Sequence, residues 1–147
     1  MKRKIKVLNS AQLIFPSTSV NESLSRSFVS SFMMIANPTV EELSDLKCAV
    51  SEAVTNSIIH GYAGSAGYIK LKAQILADLT VIIDIIDKGC GIEDVESAMK
   101  PQFTTNTDGE RSGMGFTVMK AFCDRVRVSS KQGKGTKVKL LKKLSGD

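Results

Sequence analysis

The stretch SEAVTNSIIHG, Ser51 to Gly61, places Glu52, Asn56 and His60 at successive steps of four. Residues four apart are neighbours on a helix, so the three form one polar row. At ~100° per residue that row lies roughly 120° around from the apolar row of Leu43, Leu46, Val50, Val54 and Ser57. Any surface helix puts polar residues on its outer side. A carboxylate, an amide and an imidazole in line also suit proton abstraction, magnesium coordination and phosphate contact.

Glycine motifs follow in order: Asp87-Lys88-Gly89-Cys90-Gly91 after an apolar run, Gly113-Met114-Gly115-Phe116, and Gly133-Lys134-Gly135-Thr136. Asp87 directly follows a strand-like segment, so a buried carboxylate needing a donor is expected there. Gly89 and Gly91 permit positive φ and close approach of backbone to a ring, or simply make a tight turn. The run Gly113 to Phe116 opens a helix whose free amides suit phosphate oxygens. It lacks the lysine of a Walker-type loop. Thr104, Thr105 and Arg111 flank it, where hydroxyls and a guanidinium can close over a polyphosphate, or Arg111 can merely solvate a loop.

A Glu-x3-Asn helix followed by these three motifs resembles the ATP-binding fold shared by gyrase, heat-shock chaperone, histidine kinase and mismatch-repair ATPases. Within that superfamily the chain resembles the anti-sigma factor serine kinases, through SEAVTNSIIHGY, PQFTTNTDGERSGMGF and KGT. The resemblance implies ATP and magnesium as cofactors. It makes Glu52 the catalytic base toward a serine hydroxyl, Asn56 the magnesium ligand and Asp87 the acceptor of the adenine amino group. Thr136 would support the adenine pocket, although a plain hairpin turn also fits Gly133 to Thr136. The implied partners are a sigma factor, sigma F in the sporulation branch, an anti-anti-sigma protein as substrate, and a second copy in a homodimer. A stress-response sibling of the anti-sigma B type, or an ATP-regulated binding module without turnover, are the alternatives. Two departures fall in the PQFTTN segment. Gln102 and Asn106 stand where a leucine and a lysine are more usual, which puts a lysine contact to phosphate in doubt.

At 147 residues, 42% apolar and 24% charged, the chain suits one soluble globular domain spanning residues 1–147, which the resemblance makes an ATP-binding one. No apolar run approaches the ~20 residues that cross a bilayer. The basic N-terminus lacks the features of a signal peptide, so a cytoplasmic protein without membrane association is expected. Cys48, Cys90 and Cys123 are widely spaced and read as reduced thiols. Cys90, between two glycines, is either a tolerated small residue or a redox-sensitive position. The net charge of +5 is concentrated in late lysines. Lys137 and Lys139 alternate with Val138 and Leu140 as the solvated face of a strand. Aromatics are only 5%, so direct nucleic-acid binding is not expected.

In chain order, Ile5 to Phe15 reads as a strand ending at Pro16. Ser19 to Glu22 reads as a capping box opening a helix with an apolar stripe of Leu24, Phe28, Phe32 and Ile35. Glu22 and Arg26 are four apart, off that stripe. They read as a solvated ion pair, or Arg26 as a partner contact, arginine being enriched at binding hot spots. Thr39 to Glu42 is a second capping box, and the central helix runs to about His60. Tyr68 to Leu76 alternates as a half-buried strand, and Leu79 to Ile86 as a more covered one. A short helix at Ile92 to Lys100, a polar lid-like segment from Pro101 to Ser112 and a helix at Phe116 to Cys123 come next. A hairpin of Arg125 to Ser130 with Thr136 to Leu141 ends the chain. The order implies an α+β two-layer sandwich, helices on one face of a mixed, mainly antiparallel sheet.

Overall fold

The computed structural model describes residues 4–99 and 115–146. Five strands, β1 (Val7–Pro16), β2 (Tyr68–Leu76), β3 (Thr80–Asp87), β4 (Arg125–Lys131) and β5 (Gly135–Lys143), form one sheet in the order β1-β2-β3-β5-β4. The four pairings are all antiparallel, so among the described strands the expected mainly antiparallel sheet has no parallel pair. Period-two patterning decides which face is covered. Ile69, Leu71, Ala73 and Ile75 of β2 are buried, while Lys70, Lys72 and Gln74 point the other way. β3 is central and more completely covered, as its continuous apolar run predicts. It begins at Thr80 because Leu79 has φ of 67° and the Asp78 carboxylate accepts the Thr80 amide at 3.0 Å.

Helices α1 (Asn21–Met33), α2 (Val40–Asn56) and α4 (Gly115–Phe122) supply the other layer, with α3 (Val95–Met99) a short helix beside α4. Their buried side chains, including Met33, Leu46, Val50, Val54 and Met119, meet the sheet's apolar face in one core.

The start of α1 departs from its sequence pattern. No side-chain cap forms at Ser19 to Glu22, because the Glu22 carboxylate instead accepts the Thr55 hydroxyl of α2. The Asn21 amide secures the entry, donating to the Pro16 carbonyl at 2.9 Å. The buried stripe is Ser25, Val29, Phe32 and Met33, whereas Leu24 is 44% and Ile35 58% exposed. Ile35 lies in a 3₁₀ turn, Met34–Ala36, whose three residues per turn carry it off the helical stripe. Lys142 also differs from its solvated neighbours: its ammonium donates to the Phe122 carbonyl at 2.8 Å and sits 3.5 Å from Asp45.

The Thr39 capping box forms as read. The Glu42 amide donates to the Thr39 hydroxyl at 3.0 Å, and the Thr39 amide donates to the Glu42 carboxylate at 2.9 Å. The other carboxylate oxygen accepts the Ser145 amide at 2.8 Å, tying the chain end to the helix start. These amides, Thr39 first, hold the Glu42 carboxyl below its ordinary value of 4.5. A depressed carboxyl contributes stability above its unfolded value and loses it as pH falls through the folded one. Glu42→Gln should therefore lower the melting temperature at pH 7, and the gap to wild type should close as pH drops below the ordinary carboxylate range. Thr39→Ala should cost about 1 kcal/mol in urea titration. Equal stability of both variants at pH 7 would show the box contributes nothing.

Candidate functional site

Two clusters meet at the C-terminal end of α2. The first faces α4. A Cβ on Gly115 would lie 3.0 Å from the Asn56 amide nitrogen and 3.4 Å from the Glu52 carboxylate, so the first residue of α4 rests directly on both side chains. Phe116 and Met119, both buried, anchor α4 in that position. Neither Glu52 nor Asn56 has a hydrogen-bond partner among the described residues. A carboxylate and an amide thus stand with unspent bonding capacity beside a helix N-terminus, where the dipole favours anions.

The second cluster surrounds Asp87, which is 5% exposed at the end of β3. The Ser57 hydroxyl donates to one carboxylate oxygen at 2.7 Å, and the Gly89 amide to the other at 2.9 Å. The loop after Asp87 lies on Gly61, whose carbonyl accepts the Cys90 amide at 2.7 Å. A Cβ on Gly89 would come within 2.1 Å of that carbonyl, so only glycine fits. Gly135, with φ of 97°, approaches the Asp87 carbonyl so closely that a Cβ would lie 2.2 Å from it. Thr136 pairs across the sheet with Asp87, and its hydroxyl is 2.7 Å from that of Ser130. The late glycine motif and the Asp87 motif therefore occupy one end of the sheet.

Asn56 and Ser57 are sequence neighbours about 100° apart around the helix, and this offset sends one toward α4 and the other toward Asp87. His60 does not join the row. Residues Ser57–Gly61 form a π turn, with the Tyr62 amide bonded to the Ser57 carbonyl at 2.9 Å, and this widening takes His60 out of the four-residue spacing into solvent. The expected Glu22–Arg26 pair is also absent. Arg26 donates to the Ser51 hydroxyl of α2 at 3.0 Å, as Glu22 accepts from Thr55, so both reach across to α2 on either side of Glu52. Thr104, Thr105, Arg111, Gly113 and Met114, with Gln102 and Asn106, lie outside the described residues.

The sequence matches the family described as histidine kinase-like ATPase domain over residues 15–142. It is 50% identical to an anti-sigma F factor of Thermoanaerobacter sp. (strain X514), covering 95% of this chain and 96% of that one. An anti-sigma F factor of Caldanaerobacter subterraneus subsp. tengcongensis is 52% identical, with 91% and 93% covered. The chain belongs to the anti-sigma F factor family of histidine kinase-like ATPase domains. Solved structures agree in fold. The RsbU and RsbW domains of a Mycobacterium tuberculosis protein superpose with a TM-score of 0.68 at 21% identity, covering 92% of this chain and 32% of that one. The histidine kinase domain of an Erythrobacter litoralis blue-light activated kinase gives 0.57 at 21% identity, with 72% and 46% covered. Among the described residues no helix is long and apolar enough to cross a membrane.

Ser57, Gly61 and Tyr62 are site residues the motifs did not single out. Ser57 had a signal: a hydroxyl in an apolar row needs a buried partner. Tyr62 had none. Its hydroxyl accepts the Lys88 amide at 2.8 Å and donates to the Tyr68 carbonyl at 2.6 Å, with the ring laid on Gly67. All three cysteines are free, as read. Burial pushes the Cys123 thiol up to about 12, and burial with the nearby Glu52 and Asp45 carboxylates raises Cys48. Cys90 is exposed, 3.2 Å from the His60 carbonyl.

Tyr62→Phe keeps the ring and removes both hydrogen bonds. Losing about 1 kcal/mol of local stability should speed amide exchange at Lys88 roughly fivefold, read by hydrogen-exchange NMR. Unchanged exchange there would mean the phenol does not hold the loop.

Proposed function

We propose that the protein is an ATP-dependent protein serine kinase that also holds a sigma factor inactive. The observation that carries this is the seating of Gly115 on Asn56 and Glu52, which brings a base, an amide oxygen and a helix N-terminus to one point. Asp87 would accept the adenine amino group, with Gly89 and Gly91 letting the loop approach the ring and Thr136 opposite. The amides of Gly115 and Phe116 would hold phosphate oxygens. An amide oxygen beside a carboxylate fits magnesium, which takes hard oxygen ligands and shares them with phosphates. Asn56 would be that ligand. Bound there, magnesium would neutralise charge on the transferred phosphoryl group. Glu52 would orient and deprotonate the attacking serine hydroxyl. The roles of Thr104, Thr105, Arg111, Gly113 and Met114 in closing over the phosphates rest on the family resemblance.

The relatives' shared name points to sigma F as the sigma factor. The phosphorylated substrate would be its anti-anti-sigma antagonist, whose unphosphorylated form releases the sigma factor in the presence of ATP. Arg26, half-buried beside Ser51, is the proposed partner contact. We take residues 1–147 as one cytoplasmic domain acting as a homodimer. Ala11 and Leu13 of edge strand β1, with Leu24 and Phe28 of α1, line an apolar groove that would supply surface for a second copy.

Labelled ATP with magnesium should transfer phosphate to a serine of the purified antagonist. Glu52→Ala should lose transfer by at least about 100-fold while retaining ATP, as expected for a general base, and Asn56→Ala should lose both. Wild type that binds ATP and the sigma factor yet labels no antagonist would establish a binding module without turnover. Gly115→Ala tests the seat separately: its Cβ displaces the Asn56 amide, so ADP–magnesium affinity should fall about tenfold, one step of 1.4 kcal/mol, without loss of fold. Unchanged affinity would remove Gly115 from the site.

A further inference from the structure

The face of the sheet turned away from the helices carries a charge pattern that the nucleotide chemistry does not use. Three rows cross all five strands in register: Ile14, Lys70, Ile86, Lys137, Ser129; then Gln12, Lys72, Asp84, Lys139, Arg127; then Ser10, Gln74, Ile82, Leu141, Arg125. Six cations stand here against one carboxylate. In a chain whose 20 Lys and Arg exceed its 15 Asp and Glu by five, these three rows alone carry a surplus of five cations.

The cations are spread over the face. With strands about 4.8 Å apart and same-face residues about 6.7 Å apart along each strand, they form a grid. Asp84, at its centre, is 9% exposed, and Lys139 is 4.0 Å from its Oδ1, an atom with no hydrogen-bond partner among the described residues. Ile82, Ile86 and Leu141 are half-buried between the cations, and Ile14 is 61% exposed at the edge. A lysine face that served only solvation would not need aliphatic residues at these positions on three strands.

We propose that this open face docks an acidic, amphipathic segment of a protein partner. Its carboxylates would meet the lysines and arginines, and its apolar stripe would cover Ile82, Ile86 and Leu141. Charge complementarity selects an acidic ligand, and the interleaved aliphatic side chains select a protein over a phosphate backbone, which offers them nothing. The face lies on the opposite side of the sheet from α2 and α4, so docking leaves Glu52, Asn56 and Gly115 uncovered and does not depend on the kinase reading.

The test uses the full chain and a fluorescein-labelled synthetic helix of about five turns, with leucines along one stripe and glutamates flanking it. A peptide of the same composition with scrambled order and a short labelled DNA duplex serve as comparisons. Lys70→Gln, Lys137→Gln, Arg125→Gln and Arg127→Gln together leave the Lys139–Asp84 pair intact and should weaken peptide binding at least about tenfold. Lys6→Gln, Lys47→Gln, Lys120→Gln and Lys134→Gln remove the same charge elsewhere and should change it less than about twofold, as rim charges far from a contact do. Ile86→Thr keeps a β-branched strand residue and should weaken binding about threefold, the size expected from removing part of one apolar contact. Thermal melts confirm that each variant is folded. Equal loss in the two four-residue sets, tighter binding of duplex or scrambled peptide than of the amphipathic one, indifference to Ile86→Thr, or no peptide binding at low salt would each overturn the proposal.

Discussion

The arrangement depends on a carboxylate that the fold buries. A carboxyl group at 5% exposure is costly to bury unless donors meet it, and Asp87 has two, from opposite directions in the chain. The Gly89 amide comes from its own loop and can reach back only through a tight turn. The Ser57 hydroxyl comes from thirty residues earlier and must be delivered by α2. Satisfying both brings the end of α2, the end of β3 and the loop between them into contact. That crowding explains the glycines: Gly61 beside the carboxylate, Gly89 on the Gly61 carbonyl and Gly135 on the Asp87 carbonyl each stand where a Cβ would collide or press.

The same requirement explains how one helix serves two clusters. A regular α-helix sends consecutive residues in directions about 100° apart, so Ser57 on Asp87 commits Asn56 to the side where α4 packs. Glu52, one turn earlier, shares that side. The capping box at Thr39 and the bonds from Arg26 and Glu22 to Ser51 and Thr55 then set the helix's position and rotation from its other end and its flank. Beyond Asn56 the helix need not stay regular, and the π turn lets Gly61 pass close to Asp87 while His60 turns outward.

What could be read from the sequence follows from this division between local and distant causes. The β2 alternation, the Thr39 box, the tight turn at Gly89 and the Glu52–Asn56 spacing are each decided within a few residues, and each is present in the structure. The Ser19 box has the same local pattern and does not form, because Thr55, thirty-three residues away, takes the glutamate. Leu24 and Ile35 leave their stripe for a comparable reason: the rotation of α1 is chosen by packing on α2, and a 3₁₀ turn ends it. His60 follows a perfect spacing that a single widened turn cancels, and that turn is coupled to a contact thirty residues distant. Ser57 is the instructive case, since it was visible as a polar residue in an apolar row, while its partner was not.

A net charge quoted for the whole chain hides where it acts. The sheet separates two surfaces whose residues alternate along every strand, so a sequence can tune one face almost independently of the other. Here the helix side carries an apolar core with a few satisfied polar groups, and Lys142 shows what happens to a cation placed there: it is held by Asp45 and the end of α4. The open side keeps the unbalanced cations. A basic isoelectric point of about 9.2 thus reflects in large part cations gathered on the sheet face turned away from the carboxylates and glycines of the candidate site.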